Sequence, residues 1–323
     1  MRFFALPGEL RKRGVLGMNQ RNADYVMRYN PRRLYPLVDN KLETKRLALE
    51  DGIAVPELYG VVAIEHQIQE MASTLDNHQA LVIKPAHGSG GSGILVLDGR
   101  MGKFFRKANG SLLTIEAIQH HTSNILSGMY SLGGIPDKAI LEYRVDFDPM
   151  FEHISYQGVP DIRIIVFRGI PTAAMMRLPT RDSDGKANLH QGAVGLGINI
   201  ANGETTNAVH HNQLVERHPD TGHEISGITI PHWDNIMRLA MQCADTVGLG
   251  YLGVDIVIDR KLGPLMLELN ARPGLSIQIA CGQGLLINLQ KVDQHSHLPT
   301  NIDARLELAK GLHLSEDIMK VIN

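Results

Sequence analysis

A chain of 323 residues has room for about two domains, and 43% hydrophobic with 20% charged residues supplies a sizeable core. Lys and Arg number 32 against 34 Asp and Glu, a formal net charge of −2 that excludes a polybasic surface protein and argues against bulk nucleic-acid binding. Two cysteines, Cys243 and Cys281, cannot make a disulfide framework, and their spacing matches no thiolate metal site. No run of about 18 apolar residues offers a membrane span. The opening MRFFALPGELRKRG places apolar residues before its basic cluster, the reverse of a secretory signal, so the expected location is cytoplasmic.

Residues 1 to about 40 are basic and irregular, with Arg11, Lys12, Arg13, Arg21, Arg28, Arg32 and Arg33 among Asn and Pro. This reads either as a solvated strip wrapping the body or as a surface for an anionic substrate or partner. Asp39 or Asn40 can cap a helix running to about Glu50, with Gly52 as its stop. Helices are predicted at 64–75, at 114–127 behind Thr114, and at 231–247. The last has Pro231 in its first turn and Ile236, Leu239, Ala240, Cys243 and Val247 as an apolar stripe. Strands are predicted at 80–84, 139–145, 160–168, 172–178, 252–258 and 264–270. Adjacent strands with short turns, and no regular βαβ spacing, give an α+β class.

The segment LVIKPAHGSGGSG sets Lys84 at a strand end and follows it with Gly88, Gly90, Gly91 and Gly93. Chain with so few side chains can wrap backbone N–H groups around phosphate oxygens. It is not a Walker A loop, since no Gly-Lys-Ser/Thr closes it, and no helix follows to complete a dinucleotide fingerprint. A mobile surface hairpin is the plain alternative; the lysine beside the loop favours phosphate. Lys41 and Lys45, taken alone, can simply face water.

The strongest feature is LGVDIVIDRKLGPLMLELNARPG. Counting outward from the turn at Asp259–Gly263 puts Asp255 opposite Glu268, with Asn270 on the face of Glu268. Val254, Ile256 and Ile258 then face the core, Leu267 and Leu269 point away from Glu268, and Asp259 lies in the solvated turn. Carboxylates in such apolar strands need partners. An all-oxygen set suits Mg²⁺, with Mn²⁺ as the alternative ion. Pairing of the acids with arginines such as Arg177 or Arg272 is the structural alternative. The histidine pairs His120–His121 and His210–His211 place neighbours on different faces and read as surface or packing residues.

From about 39 to 285 the ordered pieces NKLETK, VIKPAHGSGGSG, ILEYR, PDIRIIVFRG, ANLHQGAVG, GVDIVID and LMLELNARPG resemble the ATP-grasp superfamily, in the branch of ribosomal protein S6 glutamate ligases and related alpha-L-glutamate ligases. The resemblance implies two α+β subdomains clamping ATP and a carboxylate–amine ligation through an acyl phosphate. It implies Lys41 and Lys84 as nucleotide lysines, and His87, Gly88, Ser89, Gly90, Gly91 and Gly93 as the lid loop. Glu142 and Tyr143 become the adenine hinge and Asp161 and Arg163 a DxR element. Arg177, Asn188, His190 and Arg272 fall near the reaction centre, and Asp255, Glu268 and Asn270 become metal ligands.

The implied divisions are 1–57 (basic segment and lysine helix), 58–140 (lid subdomain), 141–290 (metal-bearing subdomain) and 291–323 (helical tail). Only some 40 residues precede Lys41, so the N-terminal region is read as truncated; insertions are read at 99–130, 145–159 and 203–230. The expected partners are an amine such as glutamate, an acceptor carboxylate on a peptide, protein or small molecule, a protein at the basic segment, and a second copy of the chain. Nucleic acid is not expected. A related group associated with sugar-transfer gene clusters has similar features, so the acceptor need not be a protein. A kinase using the same clamp and a non-catalytic nucleotide-binding module are the rival readings.

Overall fold

The computed structural model describes residues 7–88 and 90–321; Ser89 lies outside the described residues. Two antiparallel sheets organise the chain. The first contains β1 (Leu58–Val62), β2 (Leu81–Pro85), β3 (Leu95–Met101), β4 (Phe104–Lys107), β5 (Leu112–Leu113) and β6 (Ala139–Tyr143), in the order β1-β6-β2-β3-β4-β5. The second contains β7 (Asp161–Phe167), β8 (Ile170–Leu178), β9 (Val194–Ile198), β10 (Thr205–His210), β11 (Gln213–Val215), β12 (Tyr251–Asp259) and β13 (Gly263–Asn270), in the order β11-β10-β9-β8-β7-β12-β13.

Each sheet carries its own core. On the first, helix Gln67–Asn77 buries Ile68, Met71 and Leu75, and helix Ile115–Leu126 buries Ile118, Ile125 and Leu126, against Leu81, Ile83 and Phe105. The Thr114 hydroxyl accepts from Ala117 N at 3.3 Å, the N-cap that starts the second of these helices. On the larger sheet, helix Trp233–Val247 buries the stripe Ile236, Leu239, Ala240, Cys243 and Val247. It begins two residues later than the periodicity predicts because His232 takes φ 57°, a left-handed turn that no helix can include. Gly248, at φ 67°, ends it in the conformation glycine adopts most easily. All nine residues of β12 are buried, as expected of a strand covered on both faces. No helix among the described residues is long and apolar enough to cross a membrane.

The N-terminal basic segment departs from the solvated-strip expectation. Leu16, Tyr25 and Val26 enter the main core, and Asn30 donates to Tyr251 O at 2.7 Å and accepts from Tyr251 N at 2.9 Å. Arg21 is buried and donates to Pro273 O at 2.8 Å, so its charge serves backbone carbonyls rather than a ligand. Arg11, Lys12, Arg13, Arg28, Arg32 and Arg33 remain exposed. The division at 140/141 passes through β6, which pairs with β2 from Ala139 to Tyr143 and with β1 from Ala139 to Glu142.

The β12–β13 hairpin has the counted register, with Asp255 opposite Glu268 and Gly253 opposite Asn270. A bulge follows, since Ile256 pairs with Met266 and Leu267 is the extra residue. Leu267 therefore does not join Leu269 in the main core but packs on Val145, Val257 and Leu265, on the side of the sheet that carries the acids. Asp259 is not solvated. It is buried and accepts from Tyr143 Oη, Asp146 N, Lys261 N and Leu262 N, each at 2.9 Å.

Candidate active site

Helix Lys41–Glu50 starts where the Asn40 side chain accepts from Leu42 N at 3.0 Å. Lys41 and Lys45, one helical turn apart, share the face turned toward both sheets. The Lys41 ammonium donates to Gly88 O at the root of the glycine loop and lies 3.1 Å from Glu268 Oε1. Lys45 does not face water: its ammonium donates to Pro56 O and sits 2.7 Å from Glu142 Oε2, while Lys84 pairs with Glu142 Oε1. Strand order explains the cluster, because β6 lies beside β2 and sets Lys84 and Glu142 on neighbouring strands. Lys45 is the site residue that the sequence reading missed, and its i+4 spacing from Lys41 was the available signal.

Burial alone would raise the Glu142 carboxyl, but the Lys84 and Lys45 ammoniums override it and hold it below the usual carboxylate range. Lys45 is lowered, burial outweighing the attraction of Glu142. Because the folded Glu142 pKa is depressed, its stabilisation is complete above about pH 5 and is lost as pH falls through the folded value. The melting temperature is expected to fall on the acid side of about pH 5, and Glu142→Gln to make that limb shallower. Equal slopes in the two proteins would contradict the ion-pair assignment.

The glycine loop is rooted by His87, whose Nδ1 lies 2.7 Å from Asp137 Oδ1 and whose backbone N donates to Asp137 Oδ2 at 2.9 Å. Asp137 also accepts from Ser131 Oγ at 2.8 Å and Lys138 N at 2.7 Å. His87 thus anchors the loop, with its side chain still about a third exposed. Gly93 takes φ 75°, and a Cβ there would lie 2.5 Å from the Tyr130 ring, so only glycine fits. Gly90 and Gly91 are also left-handed. Across from them, Gln191 donates to Gly90 O at 3.2 Å, which brings the 179–193 loop of the larger sheet against the flap. Asn188 lies in that loop and accepts from His190 N at 3.0 Å; His190 is exposed.

On the acid face of the larger sheet, the DxR residues and Arg177 form a closed charge lattice. Arg163 grips Asp255 through Nε at 2.7 Å and Nη2 at 2.6 Å; Arg177 grips Asp161 bidentately and reaches Asp255 at 2.9 Å. Burial disfavours the Asp255 anion, yet the two guanidiniums hold its pKa down at about 2. Arg163, Arg177 and Asp161 therefore brace the sheet around Asp255. Among the described residues Arg272 makes no ion pair in this lattice; it is exposed, with its guanidinium 5.0 Å over the Tyr35 ring. Tyr143 donates to Asp259, which together with burial raises its phenol to about 12.

A magnesium ion fits this donor set through Glu268 and Asn270. Glu268 meets a lysine on one oxygen, and Asn270 directs Nδ2 at Asp255 Oδ2 at 3.3 Å, which leaves its carbonyl oxygen for a cation. Asp255 Oδ2 already accepts from Arg163, Arg177 and Asn270; only Oδ1, with one donor, keeps ligating capacity. Asp255 and Glu268 face each other across the hairpin and Asn270 reaches Asp255, but Asp255 is an arginine-held acid with less capacity left for a cation. Beside them a cleft is lined by Val38, Lys41, Lys45, Lys84, Leu267 and Glu268.

The architecture matches ATP-grasp structures. The biotin carboxylase–βγ-ATP complex of Campylobacter jejuni superposes with a TM-score of 0.52 at 14% identity, covering 84% of this chain and 49% of that one. The biotin carboxylase domain of Hydrogenobacter thermophilus 2-oxoglutarate carboxylase gives 0.51 at 13%, with the same coverage. Two curated proteins named probable alpha-L-glutamate ligase are each 26% identical: one from Maridesulfovibrio salexigens over 73% of this chain, one from Aeromonas salmonicida over 76%. The chain spans 56% and 60% of their respective lengths. Residues 20–294 match the sugar-transfer associated ATP-grasp model, and the chain belongs to that family.

Proposed function

We propose that this chain is an ATP- and Mg²⁺-dependent ligase that joins a carboxylate to an amine through an acyl phosphate, with glutamate or a similar amino acid as the amine. The observation that carries the reading is the convergence of Lys41, Lys45 and Lys84 on a cleft that also contains Glu268. Lys45 and Lys84 against Glu142 leave one surplus positive charge in a buried place, which suits a polyphosphate. Leu267 packs on Val145, Val257 and Leu265 and also lines the cleft with Val38, Val55 and Leu269, an apolar side suited to a nucleobase. The family match and the two glutamate ligase relatives support the same chemistry.

In this reading Lys41, Lys45 and Lys84 bind and orient the triphosphate while Glu268 and Asn270 hold the metal, with Asp255 Oδ1 completing the set. The metal offsets charge on the transferring phosphoryl group. The glycine flap, seated on Gln191, excludes water from the activated carboxyl, which would otherwise hydrolyse. No side-chain nucleophile is needed, because the acceptor carboxylate attacks the γ-phosphorus and expels ADP, and the amine then attacks the acyl-phosphate carbonyl, expelling phosphate. The N-terminal basic segment, where its arginines are exposed, is the proposed docking face for a partner protein.

The test is purified protein with ATP, Mg²⁺, an amino-acid mixture and a panel of peptide, sugar-acid and small carboxylates, read by mass spectrometry. ADP and a new amide, formed only with both acid and amine present, are expected. A stable phosphorylated product formed without amine would instead establish the kinase reading.

A further inference from the structure

Residues His210, His211 and Asp182 lie away from the acid hairpin, with β10 four strands from β12 in the sheet, and the expectation that the histidine pair falls on different faces fails here. His210 ends β10 opposite Gln213, so His211 and Asn212 form a two-residue hairpin turn. Both are left-handed, at φ 49° and 61°, the geometry of a type I′ turn. The reversal brings the two imidazoles together, with ring centroids 4.1 Å apart, instead of alternating them across a strand. Asp182 reaches them from the loop between β8 and β9. Its Oδ2 lies 3.2 Å from His211 Nε2 and 3.8 Å from His210 Nε2, and one donor atom from each residue falls within 4.8 Å of the others.

The contact at 3.8 Å is too long for a hydrogen bond, and His210 Nε2 is shielded from solvent with no hydrogen-bond partner. Ligand atoms around a tetrahedral zinc lie about 3.3 Å apart, given Zn–N bonds of about 2.0 Å; the two contacts of Asp182 Oδ2, at 3.2 and 3.8 Å, bracket that edge, and the imidazole pair lies within 4.8 Å. The exposure of Asp182 and His211 leaves an entry path and a fourth position for water. Imidazole donors also separate this cluster from the all-oxygen hairpin, since they select zinc-class ions over magnesium.

We propose that Asp182, His210 and His211 bind a divalent transition metal of the zinc class, which clips the 179–193 loop to the β10–β11 hairpin. The clip acts on the flap's seat. Gly192 ends the loop so close that a Cβ there would lie 2.9 Å from Asp182 Cβ and 3.3 Å from His211 Cε1. One residue earlier, Gln191 holds Gly90 of the flap. The inference stands independently of the ligase reading, because it concerns metal binding and loop order alone.

The experiment uses the full chain, stripped with a chelator and then freed of it, titrated with Zn²⁺ or Co²⁺ in excess Mg²⁺. One tight equivalent is expected, with a Kd of about 1 µM or below and visible Co²⁺ bands of a four-coordinate site. Asp182→Asn and His211→Asn, the second keeping a residue that tolerates the left-handed turn, should each weaken binding by about 10–100-fold. Trypsin reports the clip directly, as Arg181 and Lys186 lie within the loop: Zn²⁺ should slow cleavage there in the wild type and not in the variants. Zn²⁺ binding unchanged in both variants, binding in the wild type weaker than about 100 µM, or equal loop protection in all three would overturn the proposal.

Discussion

Replacement of Glu268 by Gln is expected to lower ATP turnover by about 10³-fold, roughly 4 kcal/mol of transition-state stabilisation. Glutamine keeps the shape and one acceptor oxygen but removes the anionic ligand, and Asp255 cannot replace it while Arg163 and Arg177 occupy its carboxylate. Folding should be nearly untouched. Glu268 is about a third exposed and its pair with Lys41 is a partly solvated one, worth about 0–1 kcal/mol. The variant should therefore melt close to the wild type and bind ATP without metal within about threefold, and lose the gain in affinity that Mg²⁺ gives the wild type. Turnover within tenfold of wild type at saturating Mg²⁺ would remove Glu268 from the metal site. Asp255→Asn should behave differently, lowering stability as well, because it leaves two guanidiniums facing a neutral group.

That contrast separates what was legible in the sequence from what was not. The Asp255–Glu268 register was readable because a short turn and period-two alternation fix the pairing of a hairpin locally. The bulge was not, since one extra residue leaves no compositional mark, and it moved Leu267 from the main core to the small cluster of Val145, Val257 and Leu265. The ion cluster of Lys45, Glu142 and Lys84 depends on β6 entering between β1 and β2, a long-range choice that no spacing in the sequence encodes. Alternation also misled wherever a strand stopped. Asp259 was assigned to solvent because it begins a turn, yet it accepts from Tyr143 and three backbone amides that close the corner. His210 and His211 were assigned to opposite faces, yet the left-handed turn folds one ring back on the other. Arg21, in a basic run, looked like a surface charge; its buried position follows from carbonyls some 250 residues away.

Glu142→Ala is expected to destabilise the fold by about 3–5 kcal/mol, because it strands two buried ammoniums without a counter-charge. Both lysine side chains are only 6% exposed and Glu142 is 2% exposed, so water cannot take over the role of the carboxylate. At about 2–4 °C per kcal/mol for a chain approaching this size, the melting temperature should drop by about 6–20 °C near neutral pH. The loss should shrink as pH rises. Lys45 is already lowered by burial, and without the Glu142 charge it falls further below its unfolded value of about 10.4, so the unfolded chain binds more protons and stability climbs with pH up to that value. A loss independent of pH between about 7 and 9.5 would point to a packing defect rather than unpaired charge. If stability were the cluster's only purpose, apolar residues would serve as well or better. The combined variant Lys45→Met, Lys84→Met, Glu142→Leu is accordingly expected to recover most of the melting temperature while failing to bind ATP. Recovery of the fold together with wild-type nucleotide affinity would show that the buried charges are structural and would move the phosphate site elsewhere.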